Sequence, residues 1–192
     1  MIYLVRHGQS EWNLARRTQG QIAHPGLTGL GRRQACAAAR AIRADAGRTG
    51  RPPTSVVTSD LVRAAQTATV LAGALAAPLH VDRRWREQGF GRLEGLGYEA
   101  TSAALAAGPA PGGEPDNLVM LRAAEALDAM AAEEVTVIVT HGDTIRCLAA
   151  HLVGTALHED LSGLVPNGAV IAVDPAAGGG IRWLVGQSPA GH

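Results

Sequence analysis

Short apolar runs alternate along the chain with longer stretches of helical spacing. Ile2 to Val5 is continuous, apolar and partly β-branched, which predicts a buried strand. The polar stretch from Gly8 to about Gly26 reads as a loop. Thr28 is placed as a helix N-cap, and Ala35, Ala39 and Ile42 form the stripe behind it, with Cys36 beside that stripe. Gly, Pro and Arg between Arg48 and Pro53 mark another loop. Ser55–Ser59 reads as a strand, and Asp60 as the cap of a helix whose apolar face is Leu61, Ala65, Ala68, Leu71 and Leu75. Leu79–Val81 is a short strand. Ala100–Gly113, rich in alanine, glycine and proline, is a short helix followed by a loop. Met120, Ala124, Leu127 and Met130 mark a further helix. Val135–Thr140 is the strongest strand in the chain. Gly142 follows it, then a helix carrying Ile145, Leu148, Ala149 and Leu152. Ala169–Val173 and Ile181–Val185 read as strands joined as a hairpin across Asp174–Gly180. Strands alternating with helices, without internal repeat or interdomain linker, predict a single α/β domain over residues 1–192 with a mainly parallel sheet.

Composition narrows the classes of function. The chain has 192 residues, enough for one sizeable core, with 46% hydrophobic and 18% charged residues. Formal net charge is zero, so nothing points to nucleic acid or an anionic membrane as partner. All 17 basic residues are arginine, which excludes lysine chemistry such as a Schiff base. Cys36 and Cys147 lie in separate helical patterns and read as buried free thiols rather than a disulfide. The chain opens without a secretory pattern and has no apolar run of membrane-spanning length, so the cytoplasm is the expected compartment. Oligomeric state is not legible, and a homodimer is one open arrangement.

The chemistry collects at predicted strand ends. The first strand stops in Arg6-His7-Gly8, and a cation and an imidazole at the end of a core strand must be solvated or paired. In open α/β sheets that end is where ligands bind, and Gly8 allows a sharp turn with close backbone approach to one. His141-Gly142 repeats the layout after Thr140, where the N–H groups opening the next helix favour an anion. Arg63 lies in the first turn after the strand Ser55–Ser59, off the apolar stripe, and points towards the same end. Glu87 and Glu94 are both candidate acids. Asp143, two residues after His141, reads either as a helix-start carboxylate or as a charge that keeps His141 protonated.

Four strings together resemble one family. Arg6-His7-Gly8-Gln9-Ser10-Glu11-Trp12-Asn13 is similar to the first signature of the histidine phosphatase (phosphoglycerate mutase-like) family, with Ser10 where threonine is usual. Ser59 to Ala68 resembles its second signature and Thr140-His141-Gly142 a third. Trp85 to Leu96 resembles its acid segment, with Trp85 in place of leucine. Gly112-Gly113-Glu114-Pro115 followed by Arg122 resembles a further stretch, with Pro115 in place of serine.

The resemblance implies a three-layer α/β/α fold and hydrolysis of a phosphomonoester through phosphohistidine. It makes His7 the nucleophile, and Arg6, Arg63 and His141 the groups that hold phosphate and stabilise its charge. Glu87 becomes the proton donor and Glu94 a structural carboxylate. Asn13, Gln19, Gly20 and Gly142 would complete the phosphate cradle. It implies no metal and no cofactor, and a small phosphorylated metabolite as the partner. Three alternatives stay open: a phosphoglycerate mutase, a non-catalytic phospholigand-binding module, and a metallohydrolase using His7, His141 and Glu87. The short stretch from Leu96 to Glu114 favours access by water, hence hydrolysis. Ile22 to Thr28 departs from the family pattern and is expected to border the pocket mouth, along with Trp12, Phe90 and Tyr98. The other histidines, His24, His80, His151, His158 and His192, read as surface or structural residues.

Overall fold

Six strands form one sheet among the residues described in the computed structural model, which are 1–130, 134–153, 165–174 and 180–186. The strands are β1 (Ile2–Arg6), β2 (Ser55–Thr58), β3 (Leu79–Val81), β4 (Thr136–Thr140), β5 (Val170–Asp174) and β6 (Gly180–Val185). Their order is β3-β2-β4-β1-β5-β6. The first four are parallel, whereas β5 runs antiparallel to β1 and β6 antiparallel to β5. The helices are α1 (Glu11–Leu14), α2 (Gly29–Thr49), α3 (Val62–Leu75), α4 (Tyr98–Ala107), α5 (Asp116–Asp128) and α6 (Gly142–Val153).

Side-chain alternation along the strands divides the core in two. Tyr3, Val5, Val137 and Val139 pack on one face with Ala35, Ala39 and Ile42 of α2 and Ala64, Ala68 and Leu71 of α3. Leu4, Ile138 and Ile171 pack on the other with Ala123 of α5 and Ile145 and Leu148 of α6. With both faces covered, β1 and β4 are apolar at their central positions, Ile2–Val5 and Val137–Val139, which is why they read as apolar runs. The three-layer α/β/α expectation is met.

Several local readings change. The loop from Gly8 contains α1, closed by a reciprocal cap in which Asn13 N donates to Ser10 Oγ at 3.1 Å and Ser10 N donates to Asn13 Oδ1 at 3.1 Å. α2 starts at its Thr28 cap as predicted but runs on past Arg48 to Gly50, whose φ of +67° ends it. Asp60 caps nothing. Leu61 occupies the N-cap of α3, and the Asp60 carboxylate instead accepts from Arg86, twice at 2.6 Å, and from Arg83 at 3.1 Å. Cys36 is exposed, because α2 buries the face bearing Ala35, Ala38, Ala39 and Ile42. Cys147 is buried, and desolvation pushes its thiol up to about 12. β5 and β6 form the expected antiparallel pair, but most of the junction, residues 175–179, lies outside the described residues, as do His158 and His192. Among the described residues no helix is long and apolar enough to cross a membrane.

Candidate active site

β1 and β4 lie side by side with Arg6 opposite Thr140, so each delivers its histidine to the same edge of the sheet. His7 N donates to Thr140 O at 3.0 Å, and the His7 and His141 ring centroids are 5.1 Å apart. His7 Nδ1 lies 2.7 Å from the Gly8 carbonyl oxygen. A carbonyl only accepts, so Nδ1 carries the proton and Nε2 keeps a lone pair. Burial above all, then the charges of Arg63 and Arg6, hold the His7 pKa well below its ordinary value, so the ring is neutral. Gly8 is not among the residues lining the cavity, and its close approach is to α2. A Cβ there would lie 2.2 Å from the carbonyl oxygen of Gly31, so the glycine lets this strand end pack on α2.

Arg63 is fully buried, not off the packed face of α3 as its spacing suggests. Its terminal nitrogens donate to the carbonyls of Gly20 at 2.7 Å and Ile22 at 2.9 Å, which makes the buried charge tolerable. Desolvation brings its pKa down to about 10, which leaves it cationic at neutral pH. Gly20 holds a φ of +49°, and a Cβ there would meet the Glu94 carboxylate at 2.1 Å. Arg6 donates to the Val165 carbonyl, and its guanidinium rests against Gly142, where an added Cβ would contact it at 3.4 Å. His141 Nε2 lies 2.8 Å from Ser59 Oγ. Arg6 Nε, Arg63 Nε and His141 Nδ1 are buried without a partner. A multi-oxygen anion is the kind of ligand such a set of nitrogens suits.

Glu87 is placed by partners far away in sequence. Its Oε1 accepts from Gln88 N at 3.0 Å, Thr144 N at 3.1 Å and Thr144 Oγ1 at 3.3 Å, so it sits on the first turn of α6. Burial first, then the Asp143 carboxylate, raise its pKa against the opposing pull of Gln88 N–H, Arg6 and Arg63. The segment carrying it is clamped by Arg122, which pairs with Glu114 at 2.7 Å and 2.9 Å and donates to the carbonyls of Arg84, Arg86 and Glu87 at 2.6 Å, 2.7 Å and 3.1 Å. Glu94 takes the structural role expected of it, accepting from Gln21 N at 2.9 Å and Phe90 N at 3.0 Å. Asp143 does stand in the first turn of α6, but it does not keep His141 protonated. Burial, Arg63, His7, Arg6 and Arg122 all lower the His141 pKa, well below the ordinary range, and the Asp143 charge acts on Glu87 instead.

A cavity of about 490 Å³ opens over these groups. Arg6, His7, Asn13, Gln19, Gly20, Arg63 and Glu87 line it; His141 and Gly142 lie behind the lining. Phe90 and Tyr98 are at its wall as expected. Trp12 is not, and packs edge-on against His24 at 5.2 Å. Nor does the Ile22–Thr28 loop line the cavity. Its Ile22 and Ala23 carbonyls instead accept from Arg63 and from Val62 N, which positions the start of α3. Sequence reasoning missed Asn167, which lines the cavity and donates to His7 O at 3.2 Å and Asn13 Oδ1 at 3.1 Å. The only local signal there is the Asn167-Gly168 turn pair before a strand. No group of three potential metal ligands comes together among the described residues.

Two strand-end histidines and two arginines beside a buried carboxyl, on a sheet of this order, define a phosphoryl-handling α/β protein. The chain belongs to the histidine phosphatase superfamily (branch 1), whose sequence model matches residues 2–185. It is 33% identical over 187 residues to a Proteus mirabilis protein named "Probable phosphoglycerate mutase GpmB", covering 90% of this chain and 84% of that one. A mycobacterial glucosyl-3-phosphoglycerate phosphatase, Rv2419c, solved with VO3, superposes with a TM-score of 0.72 at 32% identity, over 95% of this chain and 94% of that one. YhfR of Bacillus stearothermophilus superposes with a TM-score of 0.75 at 29% identity over the same shares, 95% and 94%. The fold is therefore phosphoglycerate mutase-like.

Proposed function

We propose that the protein hydrolyses a small phosphomonoester through a phosphohistidine intermediate, without a metal. The observation that carries this reading is the neutral His7, its Nδ1 proton held by Gly8 O and its Nε2 lone pair free, at a cavity shared with Glu87. Arg6 and Arg63 bind the phosphate oxygens. His7 Nε2 attacks phosphorus in line. The P–N bond forms as the P–O bond to the alcohol breaks, and the Glu87 carboxyl protonates the departing oxygen. Water then attacks the phosphohistidine. Glu87 takes its proton, the P–N bond breaks and inorganic phosphate leaves with His7 regenerated. His141, behind His7, supports the charge of the transferring group. Asn13, Gln19 and Gly20 border the phosphate.

Transfer back to a bound glycerate, the mutase reading, draws on the name given to the Proteus mirabilis relative. Hydrolysis is favoured by the short Leu96–Glu114 stretch, which contributes one 10-residue helix, α4, to the cavity wall and leaves water a way in. The deciding experiment uses a substrate labelled in its phosphate, quenched with alkali during turnover. Label should appear on wild-type protein as alkali-stable, acid-labile phosphate, be absent in His7→Ala, and end as inorganic phosphate with chelator present. Near wild-type turnover by His7→Ala would end the phosphohistidine reading. Label ending mainly in an isomeric monoester would replace hydrolase by mutase.

A further inference from the structure

The cavity has two chemically distinct ends. Arg6, His7 and Arg63 define the phosphate end. Of the chain's 17 basic residues, all arginine, only Arg6 and Arg63 line the cavity. The alcohol end lies beyond Glu87, because the proton donor must reach the ester oxygen. Besides the phosphate-binding groups, Phe90 and, from α4, Tyr98, Ser102 and Leu105 line the cavity, and Asp143 is the one carboxylate other than Glu87 in that lining.

Asp143 adjoins Glu87 directly, with its amide nitrogen 3.4 Å from Glu87 Oε2. Its side chain is 37% exposed. Its Oδ1 lies 3.4 Å from Arg146 Nε, and Arg146 in turn also holds Asp116 at 2.9 Å. Among the described residues Asp143 Oδ2 accepts no hydrogen bond, and the half-exposed carboxylate lines the cavity. The neutral groups nearby are hydroxyls. Tyr98 OH already accepts from Asn13 Nδ2 at 3.2 Å, so its own proton is available, and among the described residues the Ser102 hydroxyl has no hydrogen-bond partner. Phe90 and Leu105 offer apolar surface between them.

We propose that Asp143 makes this site selective for phosphate esters of uncharged, hydroxylated alcohols and turns away esters that carry a carboxylate beside the phosphate. The terminal hydroxyl of a three-carbon alcohol, two carbons beyond the ester carbon, can donate to Asp143 Oδ2. A carboxylate in that place meets a like charge that Arg146 offsets only in part, from outside the lining, and among the described residues no further cation lines the cavity beside Asp143. Such repulsion, partly screened at a half-open site, is worth at least about tenfold in selectivity. The inference rests on the phosphatase reading, and it sets this chain apart from relatives named for phosphoglycerate.

Glycerol 3-phosphate and 3-phosphoglycerate differ only in a CH2OH against a carboxylate, so they isolate the effect. The ratio of their kcat/KM values is measured in wild type and in Asp143→Asn, with p-nitrophenyl phosphate reporting the shared chemistry. Wild type should prefer glycerol 3-phosphate by at least about tenfold. Asp143→Asn should bring the ratio towards one, mainly through a lower KM for 3-phosphoglycerate. Both esters need the same proton donor, so any effect relayed through Glu87 cancels in the ratio. With p-nitrophenyl phosphate cleaved, the proposal is overturned by a wild-type ratio at or below one, by a ratio that Asp143→Asn leaves unmoved, or by turnover of neither ester. Failure to cleave p-nitrophenyl phosphate would overturn the phosphatase reading instead.

Discussion

Asp143 and Glu87 form a carboxylate pair: the Asp143 amide lies 3.4 Å from Glu87 Oε2, and the Asp143 charge is second only to burial in raising the Glu87 pKa. Burial and the Asp143 charge act in the same direction on Glu87, so the buried acid holds its proton to higher pH than an ordinary carboxyl. Glu87 is 8% exposed, whereas the Asp143 side chain is 37% exposed and shares Arg146.

The pH dependence follows from that pair. Under the proposed mechanism, activity on an alkyl phosphate requires protonated Glu87 and is lost as pH rises through its pKa. Removing the Asp143 charge lowers that pKa, so the proton is lost at a lower pH. In Asp143→Asn the alkaline limb of kcat/KM for an alkyl phosphate should therefore move down in pH. With an aryl phosphate, whose leaving group needs no proton, the limb should stay. A limb that moves equally for both substrates would assign it to a group other than Glu87.

Glu87→Gln removes the proton donor but keeps hydrogen-bonding capacity towards Thr144 and Gln88. Alkyl phosphates should slow by about 10²–10⁴-fold, and activated aryl phosphates by much less. Equal losses on both would remove Glu87 from the acid role. Glu94, bound to the backbone at Gln21 and Phe90, would not inherit it without the same test.

Arg122 makes five hydrogen bonds, two to Glu114 and three to carbonyls of the segment bearing Glu87. Arg122→Ala leaves Glu114 without its cation and the segment unclamped. Stability should fall by about 2 kcal/mol or more, read from denaturant unfolding. If the clamp positions Glu87, kcat on alkyl phosphates should fall further than kcat on aryl phosphates. A uniform loss would make Arg122 purely structural.

Asp45 ties α2 to the sheet, accepting from Tyr3 OH at 3.0 Å, from Arg182 at 2.9 Å and 3.0 Å, and from Arg48 at 2.6 Å. The Arg182 bonds above all, then Arg48 and Tyr3, hold its carboxyl well below the usual range against its burial. A depressed carboxyl stabilises the fold in full above its unfolded pKa of about 3.9, and that stability is lost as pH falls through the folded value. Wild-type Tm should therefore decline below about pH 4, and more shallowly in Asp45→Asn. The Arg48 and Arg182 side chains are 62% and 45% exposed, so the loss in Asp45→Ala at neutral pH should be about 2 kcal/mol. An Asp45→Asn variant with the wild-type acid slope would refute this account.

How far the chain could be read on its own follows from which contacts are local. β1 and β4 are legible because strands covered on both faces are largely apolar, and β2 because its centre is the β-branched pair Val56-Val57. His7, His141, Arg6 and Arg63 were legible because each stands at a strand end or one turn beyond it. Gly20 was marked by the resemblance alone, and its reason, the Glu94 carboxylate packed against it, appears only in three dimensions.

What the sequence by itself determined is the order of strands and helices and the set of polar residues delivered to one edge of the sheet, since both depend on neighbours a few positions away. On α3, Leu61, Ala68 and Leu71 are buried as their spacing predicts, but Ala64 rather than Ala65 completes the face and Arg63 joins it, because adjacent alanines offer no contrast and only packing on α2 and the sheet selects between them. The partner of each charge was decided by tertiary structure alone. Asp60 meets Arg86 rather than a helix end, and Glu87 meets Thr144, 57 residues away. Asp143 raises the pKa of Glu87 and not that of His141. Charge interactions act over a few ångströms in space with no memory of chain separation, so only the folded backbone could say which groups come within that reach.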